Sequence, residues 1–295
     1  MIAFKGIYIM RVCRFVTKDS DVPRIGIASE NDHIIDLSPH GIHEVASLFD
    51  ESRRASLQQA LSGSREIGHS MDAVRLLAPV DKQEVWAAGV TYLRSKTARM
   101  EESDFSATAY DKVYDAPRPE IFFKSLAEKV VATGDPVGIR KDAQWNVPEP
   151  ELALVLDPAG HVVGFTIGND MSSRDIEGEN LLYLPQAKMY DRSCSLGPWL
   201  VLGPDEEAVR AWTIGISICR AGDEVFAGET FINQIKRSFD ELAGYLFRSQ
   251  TFSSGAILLT GTGVVPDDDF TLQEGDQVSI RISGIGTLTN SVIRV

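Results

Sequence analysis

Short apolar runs alternate with turn residues along the first third of the chain. This pattern predicts β-strands over residues 12–16, 24–28 and 33–37. Residues 43–61 instead place apolar side chains at helical spacing within a charged stretch, which predicts a surface helix. A joint rich in glycine and serine follows at residues 63–68. We therefore predict a small β-rich N-terminal domain over residues 1–77.

Strand-like composition dominates the rest of the chain. Strands are predicted over residues 85–90, 121–123, 152–156, 162–167, 199–202, 214–218, 256–259, 277–282 and 286–289. One amphipathic helix is predicted over residues 231–248, and the charged residues 92–114 predict a helix or a mobile cover. Because helices do not alternate with strands, a doubly wound parallel sheet is disfavoured. The prediction for residues 78–295 is a predominantly β (α+β) catalytic domain with few helices.

Charge narrows the choice of partners. The chain has 29 Lys and Arg against 42 Asp and Glu, a formal net charge of −13 at pH 7. An excess of this size argues against nucleic acid or an anionic membrane as the main partner. Hydrophobic residues make up 43% of the 295 residues, which excludes a disordered chain. A small anionic metabolite bound in a local basic pocket stays compatible with this charge.

The cysteines and the N-terminus predict a cytoplasmic protein. Cys13, Cys194 and Cys219 are far apart and form no CxxC pair, so a disulfide framework is not expected. The apolar residues 6–10 are too few for a signal sequence or a membrane span. Because residues 10–16 form a cleaner strand than the residues before them, we expect residues 1–9 to be an upstream extension.

Common catalytic signatures are missing from the sequence. It contains no GxGxxG, GxxxxGK[ST], HExxH or GxSxG motif, which removes the usual dinucleotide, nucleotide, zincin and serine-hydrolase interpretations. His40 and His43 are three residues apart and would suit a metal on one helix face. They lie in the small N-terminal segment, and polar surface histidines are the favoured interpretation.

The most informative stretch contains two glutamates in alternation. Glu149 and Glu151 are two residues apart at the start of an apolar run, and on a strand their side chains point to the same face. Paired carboxylates repel each other unless a cation lies between them. The alternative is a solvated edge strand, which Pro150 permits.

A predicted hairpin returns the chain to these glutamates. The turn at residues 157–161 brings Asp170, at the end of the next strand, close to Glu149 and Glu151. Three carboxylates without histidine or cysteine suit a hard cation such as Mg²⁺ or Mn²⁺. Lys188 follows and can serve as an acid or base near such a cation, although an isolated lysine is more often a surface residue. Arg174 and Asp175 are expected to form a structural ion pair.

Taken together, Glu149-x-Glu151, residues 168–175 (GNDMSSRD), Lys188 and Gly197-Pro198 resemble the fumarylacetoacetate hydrolase superfamily over roughly residues 81–295. The resemblance implies a mixed β-sandwich roll and a divalent metal, Mg²⁺ with Mn²⁺ or Ca²⁺ as substitutes, that binds a 2-keto acid. The implied ligands are Glu149, Glu151 and Asp170. The resemblance also suggests Thr262, within Gly261-Thr262-Gly263, and Thr91 as substrate-orienting residues, and a homodimer or homotetramer.

The branch of the family can be judged from the residues around a lid motif. Hydrolases and decarboxylases of this family commonly have GxNYxxHAxE, but Ser95 and Ala98 stand here where its His and Glu belong. Neither side chain acts as a general base near neutral pH. Residues 114–124, 145–151 and 179–186 instead resemble the branch that dehydrates 2-keto-3-deoxy-D-arabinonate to 2,5-dioxopentanoate in oxidative pentose degradation.

In that branch, the matching positions Glu120 and Lys188 flank the bound keto acid and are the candidate catalytic acid and base. We therefore expect a metal-dependent hydro-lyase. Two alternatives stay open at this point. One is a C–C hydrolase of an acylpyruvate or 2,4-diketo acid, and the other is a metabolite-binding protein without catalysis on the same fold.

Overall fold

The computed structural model describes residues 3–4, 7–29, 33–62, 68–92 and 113–295. Ser95, Ala98 and most of the segment predicted as a cover at residues 92–114 lie outside the described residues, as does part of the predicted extension at residues 1–9. No helix in the described ranges is long and apolar enough to cross a membrane.

Strands predominate, as expected from the sequence. They are β1 (Ala3–Phe4), β2 (Ile7–Tyr8), β3 (Met10–Thr17), β4 (Ser20–Ala28), β5 (His33–Asp36), β6 (His69–Ser70), β7 (Val74–Leu77), β8 (Glu84–Gly89), β9 (Glu120–Ser125), β10 (Val137–Ile139), β11 (Asn146–Val147), β12 (Pro150–Leu156), β13 (Val162–Asp170), β14 (Ser172–Ser173), β15 (Cys194–Leu202), β16 (Thr213–Arg220), β17 (Asp223–Phe231), β18 (Ala256–Leu259), β19 (Gln277–Ile282) and β20 (Gly286–Arg294).

The helices are short. The α-helices are α1 (Glu51–Ser62), α2 (Arg174–Glu179), α3 (Leu184–Lys188), α4 (Glu206–Arg210) and α5 (Phe239–Phe247). Single 3₁₀ turns lie at Ser38–His40, Val45–Leu48, Met71–Ala73, Ala127–Lys129, Leu181–Tyr183 and Ile232–Gln234.

Two sheets form the main layers. The larger has the order β6-β5-β4-β3-β15-β13-β12-β18-β8-β9, with β7 also paired to β3, and the smaller has the order β10-β20-β19-β16-β17. The β18–β8 and β10–β20 pairs are parallel, whereas the neighbouring pairs along both sheets are antiparallel. The mixed, predominantly β fold predicted from the sequence is therefore confirmed.

Strand β12 is buried on both faces because layers cover it from either side. Leu152 and Leu154 point into a core shared with the smaller sheet and α5, and Ala153 and Val155 point into a second core. The second core also contains Val12 from the N-terminal region. Full burial of one such leucine contributes about 2 kcal/mol to the free energy of unfolding.

The N-terminal strands continue the large sheet. β3 pairs with β15, where Val12 lies opposite Leu200, and both side chains belong to the same core. This pairing joins the N-terminal region to the rest of the chain by one hydrogen-bonded ladder. The domain boundary between residues 77 and 78 stays a prediction.

The predicted helix over 231–248 was too long at its start. Phe231 is the last residue of β17, and a 3₁₀ turn follows before α5 begins. The Ser238 hydroxyl accepts a hydrogen bond from the Glu241 N–H at 3.1 Å, which makes Ser238 the N-cap and starts the helix at Phe239. The predicted helix over 43–61 likewise divides into a 3₁₀ turn and α1.

Candidate active site

The hairpin of β12 and β13 brings the three predicted carboxylates together. Pro150 pairs with Asn169, and the Asp170 N–H donates to the Glu149 carbonyl oxygen at 3.0 Å. Glu149, Glu151 and Asp170 each offer a carboxylate oxygen, and these oxygens lie within 4.8 Å of one another. All three residues are 3% exposed or less. Such a buried cluster of like charges needs cations close by.

Each carboxylate has one oxygen held by a donor at the edge of the cluster. Arg174 Nη2 lies 2.6 Å from Glu149 Oε1, and Lys124 Nζ contacts Asp170 Oδ1. The backbone N–H of Gly261 donates to Glu151 Oε2 at 2.6 Å. These contacts orient the carboxylates, so that their rotamers are set by residues outside the cluster.

Lys188 lies at the C-terminal end of α3 with its amine among the acids. Its Nζ is 2.6 Å from Glu149 Oε2, 3.1 Å from Asp170 Oδ2 and 2.6 Å from the Ser172 hydroxyl. The ring of Phe122 is 5.8 Å from the same nitrogen. The lysine that the sequence singled out is therefore fully buried beside the carboxylates, whereas most lysines in proteins are exposed to solvent.

The electrostatic setting favours a bound cation. Burial raises the pKa of Glu151 well above its usual value, and the negative charges of Asp170 and Glu149 raise it further. The Lys188 charge and the hydrogen bond from the Gly261 N–H lower this pKa and offset part of the rise. A divalent ion would stabilise the ionised carboxylate. The donor set fits this group, because three carboxylate oxygens without nitrogen or sulfur suit Mg²⁺ or another hard cation. Within the described ranges, this is the cluster with the geometry of a metal site.

A cavity opens next to the acids. Its other walls include Gly89, Val90, Phe122, Arg174 and Thr262. Thr262 is buried, and its hydroxyl donates to the Val264 carbonyl oxygen at 3.0 Å. The cavity thus combines acidic, basic and apolar walls.

Thr91 has a different place from Thr262. The Thr91 hydroxyl donates to the Thr260 carbonyl oxygen at 2.5 Å and lies directly beneath Gly261. A Cβ at Gly261 would come within 2.2 Å of that hydroxyl oxygen. Thr91 therefore supports the turn whose N–H holds Glu151.

Glu120, on strand β9, is not one of the described residues that line the cavity, but it packs against Gly89, which is. It is the first residue of β9 and lies opposite Gly89, and a Cβ on Gly89 would come within 2.1 Å of Glu120 Oε2. The carboxylate thus packs over the Gly89 backbone. Phe122, which lines the cavity, and Lys124, which contacts Asp170, follow at the alternate positions of the same strand.

The expected Arg174–Asp175 ion pair was wrong in its partner. Arg174 contacts Glu149, and Asp175 accepts a hydrogen bond from the Gln144 backbone N–H at 2.6 Å. The two residues are neighbours at the start of α2, where consecutive side chains point in different directions.

Lys124 is the site residue that sequence reasoning missed. Besides Asp170, its Nζ contacts the carbonyl oxygens of Met171 at 3.0 Å and Lys188 at 2.5 Å. The available signal was its alternation with Glu120 and Phe122, on either side of and within the strand predicted over residues 121–123. His40 and His43, which the sequence offered as an alternative metal pair, lie in the N-terminal region instead, on and after a 3₁₀ turn.

Comparison with known proteins gives concordant results. The profile of the fumarylacetoacetate (FAA) hydrolase C-terminal family matches residues 84–293. The chain is 52% identical over 217 residues, 74% of either chain, to the "Probable 2-keto-3-deoxyxylonate dehydratase" of Haloferax volcanii. It is 41% identical over 222 residues, again 74% of either chain, to the 2-dehydro-3-deoxy-D-arabinonate dehydratase of Saccharolobus solfataricus.

A solved structure extends this similarity to the whole fold. The structure of 2-keto-3-deoxy-D-arabinonate dehydratase complexed with magnesium and 2,5-dioxopentanoate superposes with a TM-score of 0.79. The match covers 97% of this chain and 99% of that chain at 32% sequence identity. The N-terminal strands are therefore part of the shared architecture.

Proposed function

The chain belongs to the fumarylacetoacetate hydrolase family, and from that premise we propose that it dehydrates 2-keto-3-deoxy-D-arabinonate to 2,5-dioxopentanoate. The observation that carries this proposal is the buried triad of Glu149, Glu151 and Asp170 with Lys188 among them, in a chain 52% and 41% identical to two dehydratases of this substrate class.

The three carboxylates are the proposed ligands of Mg²⁺, for which Mn²⁺ or Ca²⁺ would substitute. When bound, the ion would supply Lewis-acid stabilisation of the negative charge that develops on the C2 keto oxygen, and would attract the C1 carboxylate. Lys124, Arg174 and the Gly261 N–H keep the carboxylates oriented for this purpose. The magnesium in the structure of the related dehydratase supports the assignment.

Lys188 and Glu120 are the proposed acid–base pair. One of them removes a proton from C3, and the C4 hydroxyl leaves with a proton as water. A proton then moves from C5 to C3, and the resulting C5 enol becomes the aldehyde. The balance is the loss of one H₂O, with no oxidant or reductant. Thr262, on the cavity wall, and Thr91, beneath the Gly261 turn, are proposed to orient the substrate.

Elimination is favoured over C–C hydrolysis by what each reaction requires. Hydrolysis needs an activated water, and the sequence has Ser95 and Ala98 where related hydrolases have the His and Glu for this task. Elimination needs only an acid and a base beside the keto acid. Lys188 and Glu120 meet that requirement.

We further propose a homodimer or homotetramer in the cytoplasm. One face of the smaller sheet has an open groove of about 540 Å³ with small side chains from four strands, including Ser217, Ala227, Ser279 and Thr287. Small side chains on this face would let a second copy approach the sheet closely. The free state of Cys13, Cys194 and Cys219 accords with a reducing compartment.

One experiment separates the candidate functions. Racemic 2-keto-3-deoxypentonate with added Mg²⁺ is incubated with the protein, and the products are identified by NMR. We expect 2,5-dioxopentanoate. Turnover of an acylpyruvate to pyruvate and a second acid, without dehydration, would instead identify a hydrolase. Tight binding of the keto acid with no turnover would identify a binding protein.

A further inference from the structure

The residues that lead into β9 are held by side chains from a distant part of the chain. Residues 114–117 direct three backbone carbonyl groups toward the segment between β17 and the end of α5. The hydrogen bonds run from Lys236 Nζ to the Tyr114 oxygen at 2.9 Å, from Arg237 Nη2 to the Ala116 oxygen at 2.6 Å, and from the Tyr245 hydroxyl to the Pro117 oxygen at 2.8 Å. We name Lys236, Arg237 and Tyr245 the clamp.

Arg237 is the buried member of the clamp. It is 8% exposed, and its second guanidinium nitrogen lies 2.5 Å from Glu241 Oε1. Its backbone carbonyl oxygen accepts a hydrogen bond from Arg210 at 2.8 Å. Because contacts fix both the backbone and the planar guanidinium, the donor to Ala116 has a defined position.

The same segment also holds the chain on the other side of the active-site wall. The backbone N–H of Lys236 donates to the Thr91 carbonyl oxygen at 3.1 Å. Thr91 follows Gly89, the residue over which the Glu120 carboxylate packs. Residues 236 and 237 therefore contact both the exit from β8 and the entry to β9.

The sequence between the clamp and Glu120 is stiff. Pro117 and Pro119 flank Arg118, and each proline restricts its own φ to about −65°. A carbonyl group held at Ala116 therefore constrains the direction in which β9 begins. A displacement of Ala116 is therefore transmitted to Glu120, because rotation about the intervening backbone bonds is restricted.

We propose that Arg237 is a positioning residue that sets the Glu120 carboxylate against Gly89, next to the cavity. This rests on the proposed function, in which Glu120 belongs to the acid–base pair. Arg237 acts only through the backbone of residues 116–120 and touches neither the substrate nor the clustered acids. Loss of the clamp contact should therefore impair proton transfer and leave metal binding intact.

The test is a double-mutant cycle between Arg237→Met and Glu120→Gln, measured as kcat and KM with saturating Mg²⁺. A misplacement of about 1 Å can lower a rate about 100-fold, so we expect Arg237→Met to reduce kcat by about 10- to 100-fold with little change in KM. In the Glu120→Gln background, Arg237→Met should have no further effect. The Kd for Mn²⁺ alone, from calorimetry, should match that of the unmodified protein.

Controls separate positioning from folding. Arg53→Met removes an exposed arginine of α1, which has no part in the clamp, and should leave kcat unchanged. Arg237→Lys keeps one donor for Ala116 and should recover most of the lost rate. Lys236→Met, at a side chain that is 40% exposed, should show a smaller kcat effect even if Arg237→Met folds poorly.

The outcomes are distinguishable. Full activity of Glu120→Gln would contradict the proposed role of Glu120, and absence of dehydration by the unmodified protein would contradict the proposed function itself. An impaired Glu120→Gln with a fully active Arg237→Met would overturn the positioning role. Independent, multiplicative effects in the double variant would overturn it as well, because Arg237 would then act by another route.

Discussion

Groups at the edge of the acidic cluster hold the carboxylates in place. Lys124, Arg174 and the Gly261 N–H each hold one oxygen of a different carboxylate. Partners of this kind typically change metal affinity or activity 10- to 100-fold when they are removed. Substitution of Lys124 should therefore change metal affinity, whereas substitution of Lys188 should change the reaction rate.

The first prediction concerns Lys124. Lys124→Met removes the ammonium group that orients Asp170 Oδ1 and leaves Lys188 as the cation on Oδ2, so the loss of orientation should raise the Kd for Mn²⁺ by about 10- to 100-fold. Isothermal titration with Mn²⁺ measures this directly. Asp170→Ala should abolish measurable binding in the same assay. An unchanged Kd in Lys124→Met would show that Asp170 needs no such partner.

The second prediction concerns Lys188. Lys188→Ala should retain metal binding and lower the dehydration rate by about 100- to 10,000-fold, the range of a lost acid–base group. Product formation followed by NMR gives the rate, and calorimetry with Mn²⁺ provides the control. Loss of Mn²⁺ binding in this variant would assign Lys188 to the metal site rather than to proton transfer.

At the scale of elements, turns place the donors that strands alone cannot. Gly261 follows β18 with φ of +88°, a left-handed conformation, and so directs its N–H at Glu151. A Cβ there would meet the Thr91 hydroxyl oxygen at 2.2 Å. The strand brings the turn to the site, but only the glycine permits its geometry.

Gly261→Ala should therefore damage the site as well as the fold. The left-handed conformation alone costs roughly 1–2 kcal/mol for alanine, and the contact with Thr91 forces the turn away from Glu151. Gly134→Ala is the matched control, since Gly134 has φ of +86° and nothing within 4 Å of its would-be Cβ. Both variants should lose stability in urea titrations, but only Gly261→Ala should lose Mn²⁺ affinity.

Local patterns predicted the elements that depend on near neighbours. The β12–β13 hairpin follows from its turn residues and alternation, so the approach of Asp170 to Glu149 could be read from the sequence. The start of α5 could not be placed correctly, because the apolar spacing at Ile232 and Ile235 continues the helical pattern across a 3₁₀ turn and a break. The cap at Ser238 was the deciding feature.

At the scale of the whole molecule, one sheet connects the N-terminal region with the active site. β3 pairs with β15, and β15 pairs with β13, which ends at Asp170. The predicted boundary at residue 77 therefore crosses a continuous ladder. Whether the two regions unfold together is a property that cysteine labelling can measure.

Cys13 and Cys194 report on either side of that boundary. Burial raises the pKa of each thiol to about 12, so both stay protonated and unreactive toward iodoacetamide at pH 8, whereas Cys219 is partly exposed. Mass spectrometry should show one adduct in the native protein. In rising urea, Cys13 and Cys194 should become labelled with one midpoint, because Val12 and Leu200 share a core. Earlier labelling of Cys13 would support an independently unfolding N-terminal domain.

The sequence by itself determined the chemistry and the local frame of the site: an all-oxygen ligand set and a hairpin that brings its three acids together. Tertiary structure alone decided what holds them. Gly261 is 110 residues from Glu151, and Arg237 is 121 residues from Ala116. Such partners meet only because sheet order places β18 and β9 near the hairpin, and local hydrophobic alternation sets which face a side chain takes but not which strand becomes its neighbour.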